Sequence, residues 1–257
     1  MVVHSSPVRI MKLALLVTED GEEYGGEEAV ADTIRQRIYE IAGEGLVEIS
    51  EYFVVKGQIP KLDENYFDGF IITGSHHSVN EETDWIQKLQ EFIVSLYNVP
   101  NGPKLVGICF GHQLIAKAFG GKVGMNPNGK FIWCSGHVRV SHEFSQKKYF
   151  QEAWGENADH IHIMQSHYEQ ILEMPSNGLT VGSSEDCENE MILYGEDRIL
   201  TMQGHPEVTV NKMVDFSLPI LKSTGQITKE EENLARDSFQ NDNGDALVRL
   251  IINFFKP

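Results

Sequence analysis

Cysteines and basic residues are scarce in this chain, and each shortage excludes a class of protein. The 257 residues contain three cysteines, at Cys109, Cys134 and Cys187. They are too few and too unevenly spaced for a disulfide framework, which fits a reducing compartment and predicts a cytoplasmic protein. Lysine and arginine total 21 against 38 aspartates and glutamates, giving a formal net charge of −17. That balance disfavours nucleic acid and anionic membranes as partners.

Long apolar runs, internal repeats and low-complexity tracts are also missing. The apolar stretch 13–17 is short enough for a buried strand, and the acidic residues that follow it are atypical of a signal peptide. The remaining composition, 41% apolar and 23% charged, is ordinary for a globular protein. This length suits one large domain with a sizeable core. We expect the acidic segments 19–28 and 229–232 to be solvated faces.

Strand-like and helix-like patterns alternate along the first half of the chain. Strand patterns cover 12–18, 48–55 and 69–73, a helical pattern covers 27–42, and a second helix begins at Thr83 or Asp84. This alternation predicts a single α/β domain with a central, mostly parallel sheet flanked by helices. Shorter, turn-bounded patterns then predict a region of antiparallel strands at 131–140, 160–164, 179–183, 191–194 and 199–202.

The last fifty residues return to a helical pattern. We therefore predict one domain over 1–257, with a core of about 11–207 and a C-terminal helical extension of about 208–257. Polar breaks at 224–232 and 240–244 divide the extension. Its final helix has an apolar face formed by Leu247, Val248, Leu250, Ile251, Phe254 and Phe255.

Cys109 stands where an apolar run ends and a helical pattern begins. Leu105 to Ile108 are typical of a buried strand, and the flanking Gly107 and Gly111 allow a sharp turn. A thiol at a helix N-terminus is stabilised as the reactive thiolate, and the free backbone NH of Phe110 would face an oxyanion formed there. A buried structural cysteine would give the same local sequence, so both interpretations stay open at this point.

A second segment ends an apolar strand in His205, Pro206 and Glu207. A cysteine nucleophile needs a base to accept its proton and a third group to orient that base. Residues two apart on extended chain point the same way, so the Glu207 carboxylate can reach the His205 imidazole. Pro206 limits the freedom of the pair.

Two further histidines, His160 and His162, alternate along a predicted strand. Such a pair suggests a metal site, but no matching cysteine, aspartate or glutamate spacing lies nearby. We therefore interpret them as solvated or core-edge residues, and we predict neither a metal ligand set nor a cofactor.

Together these motifs resemble a known family. Gly107-Ile-Cys-Phe-Gly-His-Gln113 with Gly204-His-Pro-Glu207 is similar to the class I glutamine amidotransferases, whose triad is Cys, His and Glu in that order. A third segment, 68–75, resembles the family's strand and glycine loop. The resemblance covers roughly 11–207 and is closest to the stand-alone branch that includes the γ-glutamyl peptidases. Features of that branch are Tyr24-Gly-Gly26, Asp84-Trp-Ile86, the segment 183–191 and Gly204, where synthetase-linked domains usually carry an aromatic residue.

The resemblance implies a role for each site residue. Cys109 would be the nucleophile, His205 the acid and base, and Glu207 its orienting partner. The second oxyanion NH maps to Gly74, beside that of Phe110. Substrate contacts map to Gln113 and to backbone groups of a loop formed by Gln165, Ser166 and His167.

Some of these assignments have alternatives. Local hydrogen bonding explains Gln113 and His167 equally well. Glu169 stands where the family often has aspartate, which weakens the assignment of an ammonium contact there. His76 and His77 follow Gly74 closely and could tune specificity, but we interpret them as an exposed loop tip.

Three functions remain open. The first is a stand-alone γ-glutamyl peptidase that hydrolyses glutathione or its conjugates, and the second is a glutaminase subunit that donates ammonia to a separate synthetase. Only the second requires a protein partner, and both act on a small molecule. The third is a non-catalytic binding or regulatory protein. The C-terminal helices and the lack of an attached ammonia acceptor favour the first, and the intact Cys109, His205 and Glu207 argue against the third.

Overall fold

Two β-sheets organise the molecule. In the computed structural model, which describes residues 9–62, 67–155 and 158–256, nine strands form one sheet in the order β2-β1-β3-β4-β11-β10-β9-β6-β7, and β5 and β8 form a second. The strands are β1 Met11–Val17, β2 Val47–Phe53, β3 Gly69–Ile72, β4 Lys104–Ile108, β5 Lys122–Met125, β6 Ile132–Val140, β7 His160–His167, β8 Glu169–Glu173, β9 Gly178–Ser183, β10 Met191–Tyr194 and β11 Ile199–Met202.

The helices fall into two groups along the chain. Those of the first group lie between strands, and those of the second follow β11. In order they are α1 Gly26–Ala42, α2 Asp84–Tyr97, α3 Phe110–Ala118, α4 His142–Ser145, α5 Lys148–Trp154, α6 Val210–Lys212, α7 Leu218–Ser223, α8 Lys229–Ser238 and α9 Gly244–Phe255. A π-helical turn, Met213–Ser217, joins α6 to α7.

Five strands form a parallel half of the large sheet. β1 pairs in parallel with β2 and β3, β3 with β4, and β4 with β11. The mostly parallel sheet predicted from the alternating patterns is therefore confirmed. Because these strands run the same way, their carboxyl ends meet at one edge, where ligands bind in open α/β sheets.

The antiparallel half runs from β10 to β7, as predicted, with one correction. Residues 199–202 were expected to be an antiparallel strand. β11 does pair antiparallel with β10, but it also pairs in parallel with β4 on its other side. Its short, fully buried sequence cannot show which neighbour it has on each side. β11 thus joins the two halves.

Alternate residues of β1 face two separate apolar layers. Leu13, Leu15 and Val17 of β1 pack with buried residues of α1, α5 and α9, whereas Ala14 and Leu16 pack with those of α2 and α3. This two-residue period is what a strand covered on both faces requires. Since α9 lies in the same layer as α1, the C-terminal extension completes the core, and a boundary at about residue 207 stays a prediction.

Several elements differ from the sequence-based expectation. β5, β8, α4 and α5 were not predicted, because they are short and their apolar residues show no long period. The expected polar break at 224–232 contains the start of α8, whose Thr228 and Glu231 form a capping box.

The expectation that residues 229–232 form a solvated face was also wrong in part. Glu232 is only 2% exposed and forms ion pairs with Lys222, Lys229 and Arg236. Nothing in the local acidic run distinguishes this glutamate from its solvated neighbours.

Among the helices that the structure describes, none combines the length and apolar character needed to cross a bilayer.

Candidate active site

Cys109 occupies a sharp turn between β4 and α3. Its φ of 48° lies in the left-handed region, which non-glycine residues rarely adopt. The turn packs tightly, since a Cβ on Gly111 would lie 2.6 Å from the backbone oxygen of Ile72. The Cys109 NH donates to the Met202 carbonyl of β11 at 2.9 Å. Backbone strain of this kind is held by its surroundings and is typical of a nucleophile elbow.

His205 and Glu207 lie together at the end of β11. The His205 Nδ1 and Glu207 Oε1 atoms are 2.9 Å apart, and the side chains are 14% and 9% exposed. Because Nδ1 is paired with the carboxylate, the other ring nitrogen, Nε2, is left for Cys109. Burial opposes the charged imidazolium, but the negative charges of Cys109 and Glu207 outweigh it and raise the pKa of His205 well above its ordinary value.

Gly74 lies against both of these side chains. A Cβ at this position would be 2.8 Å from His205 Cε1 and 3.5 Å from Cys109 Cβ, so only glycine fits without moving the imidazole. Thr18 fixes the glycine loop, because its hydroxyl donates to the Gly74 carbonyl at 3.1 Å and its own carbonyl accepts from Ser75 Oγ at 2.6 Å.

Gly204 is a second glycine required by a close approach. A Cβ there would lie 2.8 Å from the Met164 carbonyl oxygen, which accepts the His205 NH at 2.7 Å. This contact with β7 fixes the backbone of His205. A bulky side chain at Gly204 would separate the two segments.

Gln203 is a contact of the nucleophile that the sequence analysis missed. Its Nε2 donates to Cys109 Sγ at 3.5 Å, and its Oε1 accepts from Gln113 Nε2 at 3.1 Å. Gln113 also donates to the Glu169 carbonyl at 2.8 Å. The signal was available, because Gln203 lies two residues before His205 in the same motif.

The residues assigned to a substrate-binding loop instead form the end of a strand. β7 continues to His167, which pairs with Ile132 of β6, so the expected loop was wrong. Ser166 and His167 line the cavity beside Cys109, whereas Gln165 does not. His167 donates from Nδ1 to the Glu169 carbonyl, and burial lowers the pKa of His167 to about 4, so the ring is neutral at pH 7.

Gln165 turns towards a buried carboxyl group that was not predicted as part of the site. Its Nε2 donates to Glu190 Oε2 at 2.8 Å, and Ser184 Oγ donates to Glu190 Oε1 at 2.7 Å. Burial raises the pKa of Glu190 to about 7. Through its hydrogen bond with Gln165, Glu190 thus holds the strand that carries Ser166 and His167.

The rim of the cavity contains Glu19, His76 and His77. Glu19 was expected on a solvated face, yet it is only 5% exposed, because its carboxylate accepts the His76 backbone NH at 2.7 Å and also contacts the His76 ring. Both ring nitrogens of His77 lie 3.0 Å from carboxylates, those of Asp20 and Glu81. Partial burial works to lower the pKa of His77, but these hydrogen bonds outweigh it and raise the pKa.

That arrangement bears on metal binding at the rim. Asp20, His76 and His77 are close enough to surround an ion. Both ring nitrogens of His77 are already paired with carboxylates, so the rim is a poor ligand set.

These groups open onto a cavity of about 590 Å³, a size typical of small-molecule sites. Its polar lining includes Cys109, Gly74, Ser166 and His167. Apolar side chains also line it, beside polar residues of the same segments such as Thr33, Lys212 and Ser217. The apolar residues come from α1, β5, the segment before β6 and the segment after β11, and they are Val30, Met125, Phe131, Val208, Met213 and Phe216.

Similarity to known proteins agrees with this geometry. The family described as "Glutamine amidotransferase class-I" matches residues 31–216. Gamma-glutamyl peptidase 4 of Arabidopsis thaliana is 34% identical over 210 residues, which are 79% of this chain and 78% of the relative. A Saccharomyces cerevisiae protein, provisionally named a glutamine amidotransferase, is 32% identical over 235 residues, 87% of this chain and 88% of the relative.

A solved structure shows the same fold. The crystal structure of a glutamine amidotransferase from Thermotoga maritima superposes with a TM-score of 0.72 at 18% identity, covering 97% of this chain and 100% of that one. Because the family model matches residues 31–216, the chain belongs to the class I glutamine amidotransferase family. Its relatives include proteins named for γ-glutamyl peptidase activity.

Proposed function

We propose that this protein is a cysteine-dependent γ-glutamyl hydrolase that acts on glutathione or a glutathione conjugate. The observation that carries the proposal is the convergence of Cys109, His205, Glu207 and Gly74 at one wall of the cavity. Membership of the family and the similarity to γ-glutamyl peptidase 4 support the same chemistry.

In the proposed mechanism, the Cys109 thiolate attacks the carbonyl carbon of the γ-glutamyl amide. The backbone NH groups of Gly74 and Phe110 donate to the resulting oxyanion. The His205 imidazolium donates its proton to the leaving nitrogen, the C–N bond breaks, and a γ-glutamyl thioester remains. Neutral His205 then accepts a proton from water, which attacks the thioester. The C–S bond breaks, glutamate leaves, and the Cys109 thiolate and the His205 imidazolium are restored. Glu207 keeps the His205 ring oriented through both steps.

The raised pKa of His205 supports this assignment. A buried imidazole between two negative charges is held as the cation, which is the form that pairs with a thiolate and supplies the proton to the leaving group. The resting state would then already hold the imidazolium that donates its proton to the leaving nitrogen.

The shape of the cavity supports a substrate larger than glutamine. A γ-glutamyl group has a free α-amino and α-carboxylate group, which suit the polar lining that Ser166, His167 and Glu169 provide. The apolar side chains of Met213 and Phe216 also line the cavity, and its volume leaves room for the peptide or S-linked part of a conjugate.

A second candidate is an ammonia-donating amidotransferase subunit, because the family is named for that activity. The two candidates share the thioester step and differ in the group that leaves. Under the second, glutamine would be the preferred substrate, and a partner protein would increase its turnover.

Turnover by the purified chain, without added metal or nucleotide, separates the two. We expect kcat/KM for glutathione or an S-conjugate to exceed that for glutamine, and an α-linked glutamyl peptide to be a poor substrate. The Cys109→Ala variant is the control for contaminating peptidases. Dominant glutamine turnover, or turnover that requires a second protein, would replace the peptidase assignment with the amidotransferase one.

A further inference from the structure

Three histidines meet on one face of the sheet edge formed by β6 and β7. The register places His137 of β6 directly opposite His162 of β7, and His160 lies two residues before His162 on the same face. The ring centroid of His137 is 4.9 Å from that of His160 and 5.1 Å from that of His162. The sequence pattern alone indicates a pair, His160 and His162, and gives no sign that His137 lies beside them.

The backbone holds these rings in place from two adjacent strands. β6 and β7 pair continuously from Ile132↔His167 to Arg139↔His160, so the facing positions cannot slip by one residue without reversing every side chain. His162 is fixed further by Asn243, whose Oδ1 accepts the His162 NH at 2.7 Å and whose own NH donates to the His162 carbonyl at 3.1 Å.

Asp159 orients the third ring. Its Oδ1 lies 2.6 Å from His160 Nδ1, so the imidazole donates from Nδ1 and keeps the Nε2 lone pair free. A carboxylate that accepts from one ring nitrogen while the other binds a metal is a common arrangement in metalloproteins. His162 also has a ring nitrogen available to a ligand, because its buried Nδ1 has no hydrogen-bond partner in the part of the chain that the structure describes.

The spacing suits one small cation. A ring nitrogen from each histidine lies within 4.8 Å of those of the other two. Zinc binds imidazole nitrogen at about 2.0–2.1 Å, so small rotations of the exposed His137 and His160 side chains would bring three nitrogens to one ion. Arg139, which is opposite His160, disfavours a cation, and the negative charge of Asp159 offsets it.

We propose that His137, His160 and His162 bind a divalent transition-metal ion such as Zn²⁺, with water completing the coordination. Imidazole ligands favour zinc, copper and nickel over magnesium and calcium. None of the three rings lines the cavity that contains Cys109, so the site is separate from the proposed chemistry. The ion would link the edge strand β7 to β6. Because it would bind only the folded chain, it would raise the melting temperature of the protein.

The test is a calorimetric titration of the full chain, without an affinity tag, with Zn²⁺ and with Mg²⁺. The titrated protein carries Cys109→Ala, because a reactive thiolate beside His205 would bind zinc by itself. We expect one Zn²⁺ per chain, no binding of Mg²⁺, and a higher melting temperature with Zn²⁺.

Variants of exposed residues locate the site without threatening the fold. His137→Ala and His160→Ala should each weaken Zn²⁺ binding at least tenfold and abolish the thermal shift. Asp159→Ala should weaken it less than either of these substitutions does, since it removes only the orienting group. His142→Ala, on an exposed surface outside the cluster, and His77→Ala, at the cavity rim, are the matched controls and should bind as the parent does.

Each remaining outcome would overturn the proposal. No Zn²⁺ binding by the parent, unchanged binding by His137→Ala, or loss of binding in His77→Ala would each assign these histidines to the solvated surface. Circular dichroism of the His137→Ala variant excludes misfolding as the cause of a loss.

Discussion

In the parallel half of the large sheet, from β2 to β11, the polar groups of the cavity follow strand ends, whereas in the antiparallel half, from β10 to β7, they stand on the strands themselves. Gly74, Cys109 and His205 follow β3, β4 and β11. Ser166 lies on β7, and so do His160 and His162, which are outside the cavity. A residue after a strand is positioned by its turn, and a residue on a strand is positioned by its neighbour across the ladder.

The difference predicts how substitutions in each half will act. Changes at the strand ends should reduce the rate and leave stability nearly intact, because turn residues carry the proposed chemistry. Changes in the antiparallel half should alter stability or ligand binding more than the chemical step, because those side chains hold strands together.

The largest effect is expected for Cys109→Ala. The substitution removes the proposed nucleophile and leaves no group of similar reactivity, so kcat/KM for a γ-glutamyl peptide should fall by at least about 10³-fold. Its melting temperature, measured by circular dichroism, should stay close to the parent value, since alanine fits the space of the thiol. A large loss of stability with residual turnover would contradict the proposal that strand-end residues act on the rate and not on stability.

The next effect separates His205 from Glu207. His205→Ala should reduce kcat to within about tenfold of the Cys109→Ala level, and Glu207→Gln should be milder by about 10–100-fold, because the base is lost in one case and only its orientation in the other. Steady-state kinetics measure both. The double variant Cys109→Ala/His205→Ala is the control and should be no slower than Cys109→Ala, whereas additive losses would mean that the two residues do not act together.

Gly74→Ala tests the close approach at the strand end. The new Cβ would lie 2.8 Å from His205 Cε1, so the imidazole must move and kcat should fall by about 10²-fold. Gly26→Ala is the glycine control, because Gly26 does not line the cavity and a Cβ there would meet nothing within 4 Å. Its positive φ gives it a cost in stability only. Equal kinetic losses in both variants would contradict the role of Gly74.

The smallest kinetic effect is expected for Glu190→Gln in the antiparallel half. The pKa of Glu190 is about 7 in the folded chain against an ordinary value of 4.5, so the folded state holds this proton more tightly than the unfolded state. The resulting contribution to stability is fully present below pH 4.5 and is lost as the pH rises through 7, by roughly 3 kcal/mol at most.

Glutamine mimics the protonated side chain and can donate to Gln165 Oε1, which is buried without a partner in the described part of the chain. The free energy of unfolding of Glu190→Gln should therefore decline less than that of the parent between pH 4.5 and 7, measured by urea denaturation. Identical pH profiles for the two proteins would show that Glu190 ionises freely in the folded chain.

The sequence predicted the parallel half well because its information is local. The change from strand to helix at Cys109, the two-residue spacing of His205 and Glu207, and the glycine loop at Gly74 are each contained in a few consecutive residues. The fold class and the family follow from these short segments and the alternation between them.

What the sequence could not predict depends on contacts between distant segments. Gln165 and Glu190 are joined only by the packing of β7 beside the segment before β10, and His137 meets His160 only through the register of β6 and β7. Glu19 and Glu232 are in acidic runs that look solvated, yet each is buried by partners from other elements. Composition and periodicity record the residue but not its distant partner.

The central claim is that Cys109 is the nucleophile, and covalent labelling tests it most directly. An electrophilic glutamine analogue should react with Cys109 alone, because burial raises the pKa of Cys134 to about 12 and also raises the pKa of Cys187, which keeps both as unreactive thiols. Peptide mapping by mass spectrometry should find one label, on Cys109, and a matching loss of turnover. A label on Cys134 or Cys187, or full turnover after Cys109 is modified, would contradict the account.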